Sequence, residues 1–244
     1  MRLLLIIPAF NEQAALGPLL QEIKALPPPE GVAVEAVVVD DGSSDRTQDV
    51  ARANGARVLR LCRNLGIGGA VQAGIQLAHR EKYDAAVQMD GDGQHPPAEL
   101  VHLLGAAKNG EDLVVGTRYR EGTAGFRSTV MRRLGSSWLR GILRLVTRKR
   151  FTDPTSGFRL YGPRALALFS DTYPYDFPEP ESLAVARAAG LTVTEVSVTM
   201  RERQGGTSSI SGYTSIYYMF KVTVAVLLAY LRTNRRRFET RDAE

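Results

Sequence analysis

The feature that most constrains this chain is a rhythm of short apolar runs, each stopping in a polar cluster. "LLLII" (3–7) stops at "PAFNE", "VEAVVV" (34–39) at "DDGSSD", and "AAVQM" (85–89) at "DGDGQ". Continuous apolar runs of this length are strands covered on both faces. Helical spacing fills the gaps, in "NEQAALGPLLQEIKAL", "DRTQDVARANG", "GGAVQAGIQLAHRE" and "PPAELVHLLGAAKNG". Further strands are expected at "ARVLRLC", "DLVVGTRY" and "LTVTEVSVTM", and further helices at "PRALALF" and "SLAVARAAG", with "YPYDFPEPE" as a loop. Alternating strands and helices predict an α/β fold with a mostly parallel central sheet flanked by helices. Ligands of such sheets bind beyond the carboxyl ends of the strands. The polar clusters are therefore expected to converge on one site.

The chain has 244 residues, enough for one large domain or a domain with an appendage. Its formal charge of +5 is mild. No nucleic-acid partner is expected. A single cysteine, Cys62, rules out a disulfide within the chain and fits a reducing compartment. The first apolar run ends at Pro8 and is expected to be a buried strand, not a signal peptide.

Several chemistries lack their residues. Gly66 and Gly68 begin a G-x-G-x-x-G pattern, but Val71 stands at its third glycine. These glycines are expected to let a helix start pack close to a strand. No P-loop, no G-x-S-x-G elbow and no Cys/His cluster is present.

The acidic clusters carry the positive signal. Asp90 and Asp92 flank one glycine, an arrangement that suits Mg²⁺ or Mn²⁺, with phosphates and water completing the shell. The alternative is a solvated Asp/Gly turn. Asp40 or Asp41 could receive a base or ribose, while Ser43, Ser44 and Asp45 could cap the following helix. Arg201 and Arg203 in "RERQGG" suit phosphate or an ordinary solvated loop.

In one order the chain carries "IIPAFNE", "VVVDDGSSDRT", "NLGIGGAVQAGI", "MDGDGQHPP", "GTRY", "DPTSGFRLY" and "RERQGGTSS". Over roughly residues 2–212 it resembles family 2 glycosyltransferases of the GT-A fold. It is most similar to the branch with dolichyl-phosphate mannose synthases and bacterial polyprenyl-phosphate sugar transferases. The resemblance implies a GT-A catalytic domain over 1–212 and a C-terminal apolar helix with a basic tail over 213–244. It implies an inverting transfer from a UDP- or GDP-linked sugar to a polyprenyl phosphate, with a divalent cation, Mg²⁺ or Mn²⁺. Pro8, Phe10, Glu12, Asp40, Asp41, Asp90, Gly91, Arg118 and Arg203 are then expected at the nucleotide sugar. Asp92 and Gln94 are expected at the metal, and Asp90, Asp92 and Arg203 are the implied catalytic set. Arg118, Arg132 and Ser136 are implied at the acceptor phosphate. Phe10 stands where the family usually has Tyr, and "DGDGQ" where relatives often have Asp-Ala-Asp-Leu.

A phosphate acceptor needs no general base, because its oxygens are already anionic at pH 7. A sugar or protein hydroxyl would need one, and Asp176, Glu179 and Glu181 are the candidates. A third possibility is a non-catalytic membrane scaffold that keeps the fold.

Residues 126–152 contain no acid. A basic amphipathic helix is expected over 126–150, with Val130, Leu134, Trp138, Ile142 and Leu145 on one face and Arg133, Arg140 and Arg144 opposite. It could lie on a membrane surface or pack on the core with a solvated basic side. The apolar stretch from Tyr213 to Leu231 includes Lys221 and polar groups, which favours an interfacial helix or a helix docking an integral membrane partner. The basic residues after it suit an anionic cytoplasmic leaflet, so a peripheral protein on the cytoplasmic face is expected.

Overall fold

The computed structural model describes residues 1–119, 130–201 and 214–241, and their side chains except at 130–134, 214–218 and 236–241. The described strands form one seven-stranded sheet: β1 (Arg2–Ala9), β2 (Ala33–Asp40), β3 (Arg57–Arg60), β4 (Ala85–Gln88), β5 (Leu113–Thr117), β6 (Arg159–Tyr161) and β7 (Val193–Ser197). Their order is β3-β2-β1-β4-β6-β5-β7. Strands β1 to β4 pair in parallel, as do β5 and β7. Strand β6 alone runs antiparallel, between β4 and β5. Its start therefore lies at the carboxyl ends of its neighbours, and "DPTSGF" arrives at the same edge as "DGDGQ".

Side-chain alternation along β1 divides the core. Leu3, Leu5 and Ile7 face the side covered by α1 (Gln13–Ala25), α2 (Thr47–Ala53) and α4 (Leu100–Ala107). Leu4 and Ile6 face the side covered by α3 (Gly66–Arg80), α5 (Val130–Thr147), α6 (Pro163–Asp171), α7 (Pro178–Ala188) and α8 (Thr214–Arg241). Both faces are covered, which is why the central strands are apolar without interruption.

Helix α7 begins earlier than expected and takes in part of the anticipated loop. Pro178 and Pro180 sit in its first turn, where a missing N–H is harmless. The Phe177 N–H at its N-cap donates to Glu181 Oε1 at 3.0 Å. The glycines at the start of α3 also differ from expectation. Gly68 lies against the Pro174–Tyr175 backbone, and it is Gly74 that lies against Ile6 of β1.

Helix α5 ends at Thr147, earlier than the expected 150, and buries a different stripe. Leu139, Leu143 and Thr147 are buried, while Trp138 and Leu145 are 52% and 76% exposed. The buried stripe has strict four-residue spacing and faces α7 and α8. The expected apolar face lies beside it, and only Ile142 of its described side chains packs against the core. Helix α8 packs on α7 and α5. Val222 and Val226 enter the large core, each burial contributing roughly 1.5–3 kcal/mol. Phe220, Leu228 and Leu231 on the same helix remain exposed. Among the described residues no helix is long and apolar enough to cross a membrane.

Candidate functional site

The site edge is built from the loops that follow β1, β2, β4, β5 and β7 and precede β6. The first two loops are laced together. Asn11 holds a left-handed φ of 55°. Its side-chain Oδ1 accepts from Ser44 N–H (2.9 Å), and its own N–H donates to Ser43 Oγ (3.0 Å). Glu12 N–H donates to Thr47 Oγ1 (2.9 Å), and Gln13 N–H to Asp45 Oδ2 (3.2 Å). The serines thus join the β1 and β2 loops and do not cap α2. Of the three residues expected to cap, only Asp45 contacts that helix, accepting from Thr47 N–H. Phe10, after β1, stands 46% exposed.

The acids after β2 point inward. Asp41 Oδ1 and Oδ2 accept from Leu65 and Gly66 N–H, at 2.7 and 2.9 Å, and so anchor the start of α3. Burial raises the Asp41 pKa, and these two amides only partly offset it. Asp40 is fully buried, with Oδ1 accepting from Ser43 N–H at 2.9 Å. Its Oδ2 has no hydrogen bond and lies 3.7 Å from Arg60 Nε.

The acids after β4 divide the work differently. Asp92 is buried, and its Oδ1 accepts from Gln94 N–H at 3.0 Å. Asp90 keeps a carboxylate 32% exposed. Its N–H donates to His95 Nδ1 (3.1 Å), so the ring proton belongs on Nε2, which lies 3.9 Å from Asp90 Oδ2. His95 is buried and stacked on Phe158, ring centres 5.0 Å apart. A Cβ on Gly91 would come within 3.0 Å of the Pro8 carbonyl oxygen, so the turn between the two acids sits directly on the end of β1.

Arg118, after β5, is fixed by Asp153 in the segment before β6. Its Nε and Nη2 donate to Asp153 Oδ2 and Oδ1 at 2.7 and 3.0 Å. Asp153 is fully buried, and the Thr152 and Asp153 N–H groups are held in turn by Glu195 of β7. Burial alone would lower the Arg118 pKa; the bonds and charge of Asp153, with smaller help from Tyr119 and Asp90, raise it. Fully buried Arg159 donates to Ser182 Oγ, Ser156 O and Pro154 O. Burial pushes the Glu179 carboxyl up, Arg159 pulls it back, and Asp90 adds to the rise. The segment before β6 thus gathers the site: Asp153 holds Arg118, Ser156 O and Pro154 O hold Arg159, and Gly157 lies against the Asp90 carboxylate.

Arg201 anchors the end of the described chain after β7. Its N–H donates to Gln94 O (2.9 Å), and its guanidinium pairs with Glu22 of α1 at 2.7 and 2.8 Å. That fork serves a carboxylate within the chain. Arg203 lies outside the described residues, as does the Arg132 side chain. Ser136 is partly buried on α5.

Among the described residues no three His, Cys, Asp or Glu side chains gather closely enough to hold a metal alone. The donor set still fits Mg²⁺ or Mn²⁺, which are commonly held by one or two carboxylates plus substrate phosphates and water. Asp90 has an open carboxylate face, and Asp92 and Gln94 follow on the same turn.

Sequence reasoning missed His95, Asp153, Arg159 and Glu195. Asp153 and Arg159 stand in a quoted motif, but Arg118 and Ser182, which they hold, lie 35 and 23 residues away, and His95 stands before prolines expected only to start the next helix.

The family model for glycosyl transferase family 2 matches residues 4–169, more than half of the chain. Polyprenol monophosphomannose synthase of Mycolicibacterium smegmatis is 33% identical over 235 residues, covering 91% of this chain and 85% of that protein. Undecaprenyl-phosphate mannosyltransferase of Micrococcus luteus is 34% identical over 222 residues, covering 87% and 88%. Glucosyl-3-phosphoglycerate synthase of Mycobacterium tuberculosis, crystallised with Mn²⁺, UDP-glucose and phosphoglyceric acid, superposes with a TM-score of 0.69. It is 21% identical and covers 96% of this chain and 79% of that one, a likeness of fold alone. The fold is GT-A, as the resemblance implied.

Proposed function

The chain belongs to glycosyl transferase family 2, and from that premise we propose that it moves a sugar from a nucleotide-diphosphate sugar to a polyprenyl phosphate at a membrane surface. The observation that carries the reading is the gathering of Asp90, Asp92 and Arg118 at the carboxyl ends of β4 and β5, around the segment before β6 that holds Arg118 through Asp153 and meets the Asp90 carboxylate at Gly157. The names of its relatives support the acceptor class.

Charge develops on the leaving diphosphate as the sugar–oxygen bond breaks, and the site must stabilise it. Asp90 and Asp92, with Gln94, would hold a divalent cation there, which supplies positive charge to the phosphates. The nucleotide would lie over Pro8, Phe10, Glu12 and Asp40, with Asp41 shaping the pocket through its grip on α3. Arg203 would add a guanidinium to the diphosphate. Arg118, Arg132 and Ser136 would bind the acceptor phosphate, whose oxygen attacks the sugar carbon from the face opposite the leaving group. Asp153 aims Arg118 in advance, which lowers the cost of ordering it when the phosphate arrives.

The outer surface of α5 and α8 suits a lipid surface. Trp138 Nε1 donates to Thr223 Oγ1 of α8 at 3.0 Å, and Phe220 and Leu227 lie one turn either side of Thr223. Trp138, Leu145, Phe220, Leu227, Leu228 and Leu231 are exposed together with Arg144, Arg148 and Arg232. Apolar side chains beside arginines fit an anionic interface, each arginine contributing roughly 1 kcal/mol near it. This supports peripheral attachment, which we assign to the cytoplasmic face, with or without an integral membrane partner.

A hydroxyl acceptor would need a base, and Glu179 is the carboxyl whose titration feels Asp90. A panel of UDP- and GDP-sugars, with and without polyprenyl phosphate, in Mg²⁺ and Mn²⁺, tests both readings. Transfer that requires polyprenyl phosphate and survives Glu179→Gln is expected. Transfer to a hydroxyl acceptor that fails in Glu179→Gln would establish the other reading.

A further inference from the structure

Beneath Asp90 runs a buried polar chain that the chemistry above does not use. The Tyr173 and Tyr161 hydroxyls lie 3.1 Å apart, Tyr161 OH donates to Gln88 Oε1 at 3.0 Å, and Gln88 Nε2 donates to Asp90 Oδ1 at 3.5 Å. Tyr161, Tyr173 and Gln88 are 0%, 4% and 1% exposed. Burial pushes Tyr161 up to about 12 and Tyr173 well above its usual value, so both are neutral donors at pH 7.

The protons in this chain run one way. An ionised carboxylate only accepts, so Gln88 must turn its NH₂ group toward Asp90. Its Oε1 then faces Tyr161, which must donate, leaving the Tyr161 oxygen to accept from Tyr173. Each link fixes the next, and the chain ends on Asp90.

Packing does not ask for these hydroxyls. Tyr161, Phe169 and Tyr173 make edge-to-face contacts with ring centres 5.4–6.5 Å apart, which phenylalanines would preserve. A second feature clears space for the last link. A Cβ on Gly157 would lie 2.9 and 3.0 Å from the Asp90 carboxylate oxygens and 3.1 Å from Gln88 Nε2. Glycine at 157 lets carboxylate and amide meet.

We propose that Tyr173, Tyr161 and Gln88 are positioning residues for Asp90: their one-way hydrogen-bond chain sets the rotation of its carboxylate before the nucleotide sugar arrives. His95 holds the backbone of the same residue, and the chain holds its side chain. The 3.5 Å link is long, as contacts to working groups commonly are before ligand enters. The proposal rests on the reading that Asp90 meets the nucleotide sugar.

The test uses the full chain with UDP and GDP as probes. Calorimetry measures their affinity with and without Mn²⁺ for wild type, Tyr161→Phe, Asp90→Asn and the double variant, with thermal midpoints alongside. Tyr161→Phe leaves the buried Gln88 Oε1 without its donor, so its thermal midpoint should fall by a few degrees; the folded variant should lose about 10-fold in Mn²⁺-dependent nucleotide affinity, the lower end for removing an outer partner of a metal-site ligand. In the Asp90→Asn background the same change should cost nothing further, because the chain acts only through Asp90. Should Tyr161→Phe fold poorly, Tyr173→Phe, one link further back, should show a smaller loss in the same direction. Wild-type affinity in the tyrosine variants, or an equal loss with and without Asp90, overturns the proposal while Asp90→Asn remains impaired. Unimpaired binding in Asp90→Asn overturns the reading of Asp90 itself, and the proposal with it.

Discussion

The two acidic strand ends look alike in sequence and behave differently in the structure. "DDG" after β2 and "DGD" after β4 both place carboxylates at the carboxyl end of a parallel strand. After β2, Asp41 spends both oxygens on the amides that start α3. After β4, Asp90 is gripped from below and behind and keeps a face toward the site. Strand ends supply carboxylates generally; one with both oxygens taken by backbone amides, as in Asp41, anchors the chain.

The largest expected effect breaks this contrast at the β4 end. Asp92→Asn should lower sugar transfer by about 100- to 1,000-fold with little change in the urea midpoint, since it removes charge stabilisation at the leaving group. Asp41→Ala should do the reverse. It strands two partly buried N–H groups, and the expected loss is about 1–3 kcal/mol of stability, read in urea, with kcat of the folded protein largely kept.

The pH dependence of the Asp41 contribution sharpens the comparison. Its folded pKa lies above the ordinary 3.8, so its protonated form favours the fold. The wild-type advantage over Asp41→Asn should be greatest below pH 3.8 and shrink as pH rises through the folded value.

His95 probes the β4 end from behind. His95→Phe keeps the stack on Phe158 and removes the acceptor for Asp90 N–H; about 10-fold lower transfer is expected, or roughly 1.4 kcal/mol. His95→Asn restores an acceptor and should recover part of the loss. Equal activity in both variants would show that the Asp90 backbone contact is idle.

The smallest effect belongs to Glu22→Gln, which should cost about 0.5 kcal/mol because its pair with Arg201 is largely exposed. Arg201 holds the Glu22 pKa below its ordinary 4.5, so this contribution should be present above pH 4.5 and fade as pH falls through the folded value, opposite in sign to Asp41.

Much of the framework was legible because it is local. The apolar runs of β1, β2 and β4 and the helices between them have patterns that one window reveals, and their polar ends converge as the parallel topology requires. Strand β6 was not legible. Three residues, Arg159–Tyr161, carry no period of their own, and they become a strand because β4 and β5 leave a slot between them. The buried stripe of α5 was misplaced because Leu139, Leu143 and Thr147 are chosen by α7 and α8, not by the strongest apolar residues. The site divides the same way. Asp90 and Asp92 were marked by their own spacing, whereas Tyr161 meets Gln88 across 73 residues and Asp153 meets Arg118 across 35. Those partners share no window, and only folding joins them.

The most direct test of the central claim follows a radiolabelled sugar from UDP- and GDP-linked donors into vesicles containing polyprenyl phosphate, with Mn²⁺, using wild type, Asp92→Asn and Glu179→Gln. Wild type and Glu179→Gln should form an organic-extractable, acid-labile lipid that Asp92→Asn does not. Equal product from Asp92→Asn, or label entering a hydroxyl acceptor while polyprenyl phosphate stays unlabelled, would contradict the account.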